Sequence, residues 1–484
     1  MIVSTDASKQ RMFVAGEWVD AASGLEMTVT NPATEEDLAT VPSAGLTDVN
    51  AAVAAARAAL SGPWGTMAAR DRGAVLWRMA DLMRARADEL ARLETRQNGK
   101  PLVESLHSDV PAAAECLQYY AGWADKIHGE TVPVRGSYLA YTLREPLGVV
   151  AAIVPWNFPL LLLVWKVAPA LACGNTVVVK PASLTPLTAL ALAEIGQAAG
   201  LPPGVLNVVT GAGRAVGQML VEHQGVDKVA FTGSTEVGRS IMRASADTVK
   251  RLTLELGGKS ANIVFADADL EPAVRGALHG IFYGKGEVCG AGSRVLVEAS
   301  ILETFLERLT ARASRLQPGD PLDPRTRLGA VISREQLEQN LRHVQTALDE
   351  GATLRTGGNR VPGPGGRGFF MQPTIFSGVT PEMTLAREEV FGPVLAVIPF
   401  RDADEAVRLA NASNYGLASG VWTRDIRKAH QTARRLQAGT VWVNTYHVYD
   451  AAMPFGGYKQ SGFGRENGEH ALEHYTQVKS VWVD

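Results

Sequence analysis

The 484-residue chain has little cysteine, few aromatic residues (7%) and no long uninterrupted apolar run. Its three cysteines, Cys116, Cys173 and Cys289, are odd in number and widely spaced, which argues against a disulfide framework or a structural zinc site. The most apolar stretch, 158–173, is interrupted by Lys166 and Pro169 and is shorter than the roughly 20 residues of a membrane span. We therefore expect no membrane span, no metal, and at least one free thiol in a reducing compartment.

Charge of either sign is not in excess. The chain carries 47 Lys and Arg against 50 Asp and Glu, a formal net charge of −3. Nucleic-acid-binding proteins usually carry a basic excess, so we expect no nucleic-acid partner. The first residues, MIVSTDASKQRMF, lack the apolar segment of a signal peptide. With 46% apolar and 20% charged residues, the composition is typical of a globular enzyme, which we expect in the cytoplasm.

Short runs rich in Val and Ile alternate with helical segments from Gly148 to about Thr232. Continuous apolar strands separated by helices predict a parallel sheet covered on both faces. We therefore predict an α/β fold with a doubly wound domain, which binds nucleotides at the carboxyl ends of its strands. A second alternating region, from about 261 to 444, predicts another α/β domain. The predicted strands of the first region are 149–154, 176–180, 205–210 and 228–232, and its helices are 161–171, 185–199 and 215–223.

Two helices precede this region, and two isolated strands stand apart from it. An Ala-rich helix over 47–60 would be capped by Thr47, and an amphipathic helix runs over about 68–96. Alternating residues predict strands over 138–143 and 475–483. The second of these is too apolar for a free end. We therefore expect it to pair with another strand, such as one of another subunit.

Two glycine-rich stretches follow predicted strands. Residues 211–217 have the spacing GxGxxxG, not the GxGxxG of the usual dinucleotide fingerprint, and fit a plain loop equally well. Residues 231–238 (FTGSTEVG) open a helix, whose free N–H groups and dipole favour phosphate. The alternative is an ordinary Gly-Ser turn in which Ser234 or Thr235 caps the helix.

Three residues have settings that suit catalysis. Cys289 lies among glycines in GEVCGAGSR, which leaves room for backbone N–H groups to approach a ligand, whereas Cys116 and Cys173 fit buried core residues. Glu255 is a single carboxylate among aliphatic residues, and burial would raise its pKa toward that of a general base. Asn157, in PWNFP, suits a fixed donor to an oxyanion. The structural alternatives are a capping or ion-paired Glu255 and an Asx-turn at Asn157.

Seven motifs occur in a recognisable order along the chain. By these motifs the sequence resembles the aldehyde dehydrogenase superfamily, in its NAD(P)-dependent, non-acylating form, over essentially its whole length. The motifs are PWNFP at 155–159, KPAS at 180–183, FTGSTEVG at 231–238, LELGGK at 254–259, GEVCGAGSR at 286–294, EEVFGP at 388–393 and PFGGYKQSGFG at 454–464.

The resemblance implies oxidation of an aldehyde to a carboxylic acid. Cys289 would attack the aldehyde carbon to form a thiohemiacetal, whose oxyanion the Asn157 amide and the Cys289 N–H would hold. Hydride transfer to the cofactor would leave a thioester, and Glu255 would activate the water that hydrolyses it. Glu466 matches a second carboxylate that relays protons in some members, and Lys166 lies at a position implicated with it.

The resemblance also implies NAD or NADP as the cofactor. Lys180 and Ser183 would face the adenine ribose, Ser234 the pyrophosphate and Glu389 the nicotinamide ribose. Many NAD-preferring relatives carry Glu where this chain has Ser183, so we expect NADP to be accepted too, because no carboxylate repels its 2′-phosphate. The full set of cofactor residues by similarity is Trp156, Lys180, Ser183, Gly213, Ser234, Glu389 and Phe391.

Members of the family contain a cofactor-binding domain, a catalytic domain and a small β oligomerisation domain that exchanges strands. By similarity we expect the cofactor-binding domain over 1–123 and 147–257, the catalytic domain over 258–458, and the oligomerisation segments over 124–146 and 459–484. This division accounts for the two isolated strands. It implies a homo-oligomer, either a dimer or a tetramer.

Alignment of the motifs implies that aromatic residues line the aldehyde tunnel: Phe158, Trp165, Tyr449 and Phe455. Four rings favour an aromatic or medium-chain aliphatic aldehyde. Relatives that oxidise carboxylated semialdehydes tend to present an Arg in this tunnel, and Trp165 stands before Lys166 here, so an acidic substrate is disfavoured. Betaine aldehyde or an aminoaldehyde is the alternative, because rings attract cations and Asp450 could add negative charge. As a plain loop residue, Asp450 would instead cap its own backbone.

Two departures from the family pattern touch the substrate site and leave the chemistry unchanged. Gly284-Lys285 stand where many relatives have Asn-Gln, and Gly290 follows the nucleophile where bulkier residues are frequent. A coenzyme A-acylating dehydrogenase is disfavoured, because acylating members tend to lack the base that Glu255 provides. A catalytically idle structural or binding protein on the same fold would be free to lose the nucleophile, the oxyanion donor or the base, and all three are present.

Overall fold

The computed structural model describes residues 8–484, and an eight-stranded sheet contains the predicted nucleotide-binding strands. Its five central strands are parallel, and antiparallel strands flank them on both sides. Residues 1–7, on which the argument against a signal peptide partly rests, lie outside the described residues. In spatial order the strands are Gly462–Phe463, Arg251–Glu255, Lys228–Thr232, Val149–Ile153, Thr176–Lys180, Leu206–Val208, Met12–Val14 and Glu17–Val19.

The five parallel strands begin in the middle of this sheet and are added outward in both directions. Val149–Ile153 is followed on one side by Thr176–Lys180 and Leu206–Val208, and the chain then crosses to the other side for Lys228–Thr232 and Arg251–Glu255. The winding direction reverses between the first and fourth of these strands, and α/β sheets bind ligands at the carboxyl edge of such a point. The doubly wound prediction is confirmed.

Helices cover both faces of this sheet and bury the strand Val149–Ile153 completely. Val150 packs into a core with the helix Pro159–Ala172, and its neighbour Ala151 packs into a core with the helix Leu46–Leu60. No residue of this strand is more than 8% exposed. Because burial of a large apolar side chain contributes about 1.5–3 kcal/mol, packing on both faces fixes the strand and the loop that leaves its carboxyl end.

A second sheet of seven strands lies in the later half of the chain and contains the predicted second α/β region. All of its neighbouring pairs are parallel except the pair formed by Thr353–Thr356. The loop that carries Cys289 connects the helix Leu270–Phe282 to a strand of this sheet. In spatial order the strands are Thr353–Thr356, Thr374–Ser377, Val394–Phe400, Arg294–Glu298, Ala261–Val264, Ala418–Trp422 and Thr440–Val443.

The segment predicted as one helix over 68–96 is two helices. Ala69–Ala85 and Ala87–Asn98 meet at Arg86, whose backbone leaves the helical region at φ −109° and ψ 19°. The Arg86 guanidinium donates to the Glu89 carboxylate at 2.6 Å across the break. Apolar periodicity continues through both helices, so the pattern alone could not reveal the interruption.

The first long helix begins one residue earlier than predicted, and Thr47 does not cap it. Leu46–Leu60 has Gly45 as its N-cap, and Asp48 accepts a hydrogen bond from the Gly45 N–H at 2.8 Å. A carboxylate in the first turn also suits the positive end of the helix dipole. The other helices are Pro63–Thr66, Leu102–Glu104, Val110–Trp123, Pro159–Ala172, Leu187–Ala198, Gly213–Glu222, Thr235–Ser245, Leu270–Phe282, Leu302–Ala313, Arg334–Asp349, Thr384–Arg387, Ala403–Asn411, Ile426–Arg435 and His470–Glu473.

The two strands that the sequence left isolated pair with each other. Thr476–Val483 lies antiparallel to Leu139–Pro146 over eight residues, and Thr131–Val132 adds a third strand. The end of the chain therefore has a partner within the chain. It is nevertheless an edge strand, and Trp482 on it is 60% exposed. Proteins usually cover or pair such an edge.

Smaller pairings join distant parts of the chain. Gly462–Phe463, inside the predicted oligomerisation segment 459–484, pairs with Leu254 and Glu255 and so closes one edge of the eight-stranded sheet. Across residues 8–484, no helix is long and apolar enough to cross a membrane, and no group of three or more His, Cys, Asp and Glu could hold a metal ion. The remaining strands are Ser8–Lys9, Glu26–Thr30 and Asp37–Pro42 in one sheet, Arg360–Val361 with Phe370–Met371, and Tyr415–Gly416 with Tyr458–Lys459.

Candidate active site

Several predicted site residues lie at the carboxyl edge of the eight-stranded sheet. Trp156 and Asn157 follow the strand that ends at Ile153, Ser234 follows the strand that ends at Thr232, and Glu255 is the last residue of its own strand. Parallel strands place their carboxyl ends at one edge of a sheet. Residues from separate segments therefore meet at the switch point.

Cys289 lies in an irregular loop between a helix and a strand. The loop includes Gly284 at φ 56° and Gly286 at φ 73°, a left-handed conformation that glycine adopts without steric cost. Cys289 is partly exposed, whereas Cys116 and Cys173 are buried. Burial, with the carboxylates of Glu255 and Glu389 adding to it, raises the pKa of the Cys289 thiol to about 12. The thiol is therefore protonated at neutral pH until a base or a bound positive charge acts on it.

Asn157 is held against the loop that carries the nucleophile. Its Nδ2 donates to the Glu287 carbonyl oxygen at 2.9 Å, two residues before Cys289. A side-chain amide has two N–H groups, so one hydrogen remains for another acceptor. Asn98 fixes the backbone next to this amide, because its own Nδ2 donates to the Trp156 carbonyl oxygen at 2.7 Å. This is a preorganised donor, as an oxyanion hole requires.

A buried ion pair that the sequence did not predict supports the same loop. Lys285 Nζ lies 2.6 Å from Glu287 Oε2, and both side chains are at most 1% exposed. Lys285 Nζ also donates to the backbone and side-chain oxygens of Asn98, at 2.7 and 3.0 Å, and Glu287 Oε1 accepts from the Ile332 N–H at 2.9 Å. The pair thus joins the nucleophile loop to the segment that positions Asn157. Its members are two residues apart in a glycine-rich loop, a spacing without a periodic signal.

Glu255 is buried without well-formed hydrogen bonds to its carboxylate. Neither Oε1 nor Oε2 accepts a well-formed hydrogen bond from residues 8–484, although the Gly457 backbone N–H lies close enough to lower the pKa, and the residue is only 4% exposed. Burial and the nearby charge of Glu466 raise its pKa well above the ordinary value, against the opposing effect of Lys166. Gly456 leaves the space for it, since a Cβ there would lie 2.8 Å from Glu255 Oε1. A carboxyl group in this setting is suited to accept a proton near neutral pH.

The structure brings Lys166 and Glu466 together as a second buried ion pair. Lys166 Nζ lies 2.7 Å from Glu466 Oε1 and donates to Thr232 Oγ1 at 2.7 Å. The two charged side chains are 0% and 3% exposed. Because Glu466 is close enough to shift the pKa of Glu255, this pair and the candidate base form one electrostatic unit.

Three predicted cofactor residues converge where the helix Gly213–Glu222 begins. A Cβ built on Gly213 would lie 3.5 Å from Lys180 Nζ and 3.6 Å from Ser183 Oγ. Burial lowers the pKa of Lys180 to about 8. Ser234 caps the helix that follows the neighbouring strand, its hydroxyl accepting from the Val237 N–H at 3.3 Å. The alternative of Ser234 as a helix cap is therefore confirmed, and the cap leaves the other first-turn N–H groups to face a ligand.

Of the remaining predicted cofactor residues, Glu389 and Phe391 line one cavity and Trp156 contacts Phe391. Glu389 accepts a hydrogen bond from the Gly258 N–H at 2.9 Å, and burial raises its pKa to about 7. The Trp156 and Phe391 rings meet edge to face with centroids 5.2 Å apart. Phe391 has φ 58°, a conformation that costs a non-glycine residue of order 1–3 kcal/mol and persists where the surroundings fix it. Gly258, Glu389 and Phe391 all line the cavity.

Three of the four predicted tunnel residues form one aromatic cluster. The Tyr449 ring lies 6.2 Å from Trp165 and 5.5 Å from Phe455, and the last two rings are 5.7 Å apart. Phe158 instead stacks on Tyr283 at 6.1 Å, beside the loop of the nucleophile. Both arrangements reach the loop of Cys289, because Phe158 lies near Gly284 and the Tyr449 hydroxyl lies near Gly290.

Asp450 does not serve the aromatic cluster. Its Oδ1 accepts a hydrogen bond from the Ala452 N–H at 2.8 Å, which is the Asx-turn expected of a plain loop residue. Asp450 itself is exposed. The structural alternative for this residue is therefore confirmed, and its carboxylate adds little support for a cationic substrate.

The sheet is doubly wound, as in nucleotide-binding domains, and Cys289 and the buried carboxylate of Glu255 lie next to it. These features together indicate an oxidoreductase that uses a dinucleotide. The sequence profile of the Aldehyde dehydrogenase family matches residues 18–481. Retinal dehydrogenase 2 of Homo sapiens is 48% identical over 476 residues, 98% of this chain and 91% of that protein. The chain belongs to the aldehyde dehydrogenase family.

Solved structures agree with this assignment. An aldehyde dehydrogenase from Bacillus cereus in complex with NAD+ is 48% identical, with a TM-score of 0.97 over 98% of this chain and 96% of that one. An indole-3-acetaldehyde dehydrogenase with NAD+ is 45% identical, with a TM-score of 0.96 over 98% and 96%. Both solved structures, which hold NAD+, share the fold of this chain over nearly its whole length.

Proposed function

We propose that the protein oxidises an aldehyde to a carboxylic acid through a thioester on Cys289. The observation that carries this proposal is the fixed amide of Asn157, held at 2.9 Å on the Glu287 carbonyl beside the nucleophile. Attack of the Cys289 sulfur on the aldehyde carbon forms a C–S bond while the thiol proton passes to water, and the carbonyl oxygen becomes an oxyanion. The free N–H of Asn157 and the Cys289 backbone N–H stabilise that oxyanion.

Glu255 acts as the general base in the second half of the reaction. Its raised pKa and its two oxygens, neither of which accepts a well-formed hydrogen bond, suit it to take a proton from the water that attacks the thioester. The C–S bond then breaks, the carboxylic acid leaves and the Cys289 thiol is restored. The ion pair of Glu466 and Lys166 then relays the proton from Glu255 toward solvent.

The residues around the cofactor site fit a dinucleotide. Gly213 has no side chain where Lys180 and Ser183 approach, Ser234 caps an 11-residue helix, and Glu389 lies in the cavity near the nucleophile loop. We propose that Trp156, Lys180, Ser183, Gly213, Ser234, Glu389 and Phe391 hold the dinucleotide. A dinucleotide held there would supply the hydride acceptor that conversion of the Cys289 thiohemiacetal to a thioester needs.

Aromatic or medium-chain aliphatic aldehydes are the substrates that the site supports best. The rings of Trp165, Tyr449 and Phe455 give an apolar wall suited to stacking, and Phe158 lies nearer the nucleophile loop. The retinal and indole-3-acetaldehyde dehydrogenases among the relatives act, by their names, on apolar aldehydes. Betaine aldehyde ranks lower because Asp450 is committed to an Asx-turn.

We further propose a homodimer or homotetramer in the cytoplasm. The edge strand Thr476–Val483 exposes Trp482 and Val478, each 60% exposed, and pairing with a second copy would cover it. The three cysteines of the protein are free thiols, and free thiols are typical of a reducing compartment such as the cytoplasm.

The test of the proposed reaction is reduction of NAD and NADP by the purified protein with benzaldehyde and hexanal. Cys289→Ala should abolish turnover and retain dinucleotide binding, because the nucleophile alone is lost. Cys173→Ala is the matched control, since that thiol is buried in the core, and it should keep turnover. Turnover by the Cys289→Ala protein would contradict the covalent mechanism. A parallel assay with coenzyme A separates hydrolysis from acyl transfer.

A further inference from the structure

The Tyr449 hydroxyl is held by His447, which lies outside the seven family motifs. Tyr449 Oη lies 3.1 Å from His447 Nδ1, and His447 Nε2 lies 3.1 Å from the Gly280 carbonyl oxygen. A carbonyl oxygen can only accept, so Nε2 must carry the hydrogen. In a neutral imidazole the other nitrogen then offers only its lone pair. The Tyr449 hydroxyl is therefore the donor to His447, and its single hydrogen is spent there.

The surroundings of His447 keep the imidazole neutral and in place. Burial, with the charge of His279 adding to it, lowers the pKa of His447 to about 3. The backbone of His447 is left-handed, at φ 58°. Rings with centroids within 6.0 Å pack around the imidazole, those of His279, Tyr283, Trp442, Tyr446 and Tyr449. A ring so enclosed cannot easily turn to exchange its donor and acceptor nitrogens.

The Tyr449 oxygen lies beside the nucleophile Cys289 because the residue that follows Cys289 is a glycine, Gly290. A Cβ built on Gly290 would lie 3.2 Å from Tyr449 Oη, tighter than an ordinary contact. The residue is 37% exposed as a whole, and desolvation of its hydroxyl, with the neighbouring thiol of Cys289, raises the pKa of Tyr449 well above its ordinary value, so the phenol stays protonated. The ring edge that contacts Trp165 and Phe455 belongs to the proposed tunnel wall.

We propose that Tyr449, oriented by His447, is a specificity-determining hydrogen-bond acceptor that favours aromatic aldehydes with a neutral O–H or N–H donor on the ring. The inference rests on the proposed function and refines its substrate class. With its hydrogen directed at His447, the phenol presents only lone pairs to the tunnel. A substrate group that can only accept leaves this oxygen desolvated and unpaired, and a donor satisfies it.

The experiment compares donor and acceptor groups of similar shape. Catalytic efficiency is measured with 3-hydroxy- against 3-methoxybenzaldehyde and with 4-hydroxy- against 4-methoxybenzaldehyde, at a pH where the phenols stay protonated. In at least one pair the hydroxyl compound should be preferred about threefold to tenfold, the range that one net hydrogen bond gives. Unsubstituted benzaldehyde is the reference, and its turnover reports on the proposed function independently of the preference.

Two variants separate the hydrogen bond from substrate size. Tyr449→Phe removes the acceptor, so the hydroxyl-to-methoxy ratio should fall toward one. His447→Gly suits the left-handed backbone and frees the Tyr449 hydroxyl to donate to the methoxy oxygen, so the ratio should also fall. Tyr446→Phe is the matched control, because Tyr446 donates to the Gly290 carbonyl oxygen at 3.1 Å in the same cluster. In Tyr446→Phe the hydroxyl-to-methoxy ratio should stay at the parent value, because the loss of a structural hydrogen bond slows the oxidation of both compounds alike.

Each result bears on a defined claim. A parent preference that both Tyr449→Phe and His447→Gly abolish, and that Tyr446→Phe retains, supports the acceptor. Equal efficiencies in the parent, a preference for the methoxy compounds, or a preference that survives in Tyr449→Phe overturns it. If the parent oxidises neither benzaldehyde nor its derivatives, the proposed substrate class fails first, and the acceptor, which refines that class, falls with it.

Discussion

Lys285 Nζ lies 2.6 Å from Glu287 Oε2 in the loop just before the nucleophile, and both side chains are almost fully buried. Removing one partner of such a pair leaves an uncompensated buried charge. Lys285→Met should therefore lower the free energy of unfolding by about 3–5 kcal/mol. Chemical denaturation at neutral pH measures this loss. Because burial raises the pKa of Glu287, the loss should shrink as the pH falls and Glu287 takes up a proton.

An exposed ion pair provides the matched control for this prediction. Arg325 Nη2 lies 2.7 Å from Asp323 Oδ2 with Arg325 89% exposed, so Arg325→Met should leave the free energy of unfolding close to that of the parent. The double variant Lys285→Met with Glu287→Gln should regain much of the stability that the single variant loses, because no buried charge remains. Equal stabilities of Lys285→Met and the parent would show that the buried pair does not support the loop.

Glu255→Gln should slow the second half of the reaction more than the first. The amide cannot accept the proton of the attacking water, so the thioester on Cys289 should accumulate. Rapid mixing with excess aldehyde should then show one equivalent of reduced dinucleotide formed quickly, followed by turnover at least about a hundredfold slower than in the parent, a typical effect of losing a general base. Loss of the first equivalent as well would show that Glu255 already acts when the thiol attacks.

The pH dependence of kcat should report the charges around Glu255. The carboxyl group of Glu255 is a base only when it is ionised, and its pKa is raised. We therefore expect kcat to rise as the pH rises through that pKa and to be low at pH values below it. Glu466 raises this pKa and Lys166 lowers it. Glu466→Gln should therefore move the acidic limb to lower pH, and Lys166→Met should move it to higher pH. If the acidic limbs of both variants coincide with that of the parent, the charges of Glu466 and Lys166 do not influence the pKa of Glu255.

How far the sequence predicts this protein differs between residues. The strand Val149–Ile153 is apolar on both faces, so composition alone indicates a parallel sheet, and the glycines around Cys289 indicate a loop open to a ligand. The pairs Lys285–Glu287 and His447–Tyr449 could not be predicted in that way. The two members of each pair are two residues apart in irregular backbone, and one member of each has a positive φ. Neither helical nor strand periodicity applies to such backbone. Only folded geometry shows that they meet.

Substitution at Ser183 should change the preference between NAD and NADP. A Cβ on Gly213 would lie 3.6 Å from Ser183 Oγ and 3.5 Å from Lys180 Nζ, so a hydroxyl and an amine, with no carboxylate, approach the start of the helix Gly213–Glu222. Ser183→Glu would add a charge that repels a 2′-phosphate of about −2, and should lower the efficiency with NADP at least tenfold relative to NAD. Ratios of kcat/KM for the two dinucleotides measure this.

The variant Ser183→Ala separates charge from hydrogen bonding at the same position. Alanine removes the hydroxyl and adds no charge, so NADP should lose only the worth of one hydrogen bond, about twofold to tenfold. If Ser183→Glu and Ser183→Ala lower the NADP efficiency equally, repulsion is not the cause. If the parent gives no turnover with NADP, Ser183 is only a small loop residue and Lys180 does not compensate. A graded series, with the parent best, alanine intermediate and glutamate poorest, is the result that the geometry requires.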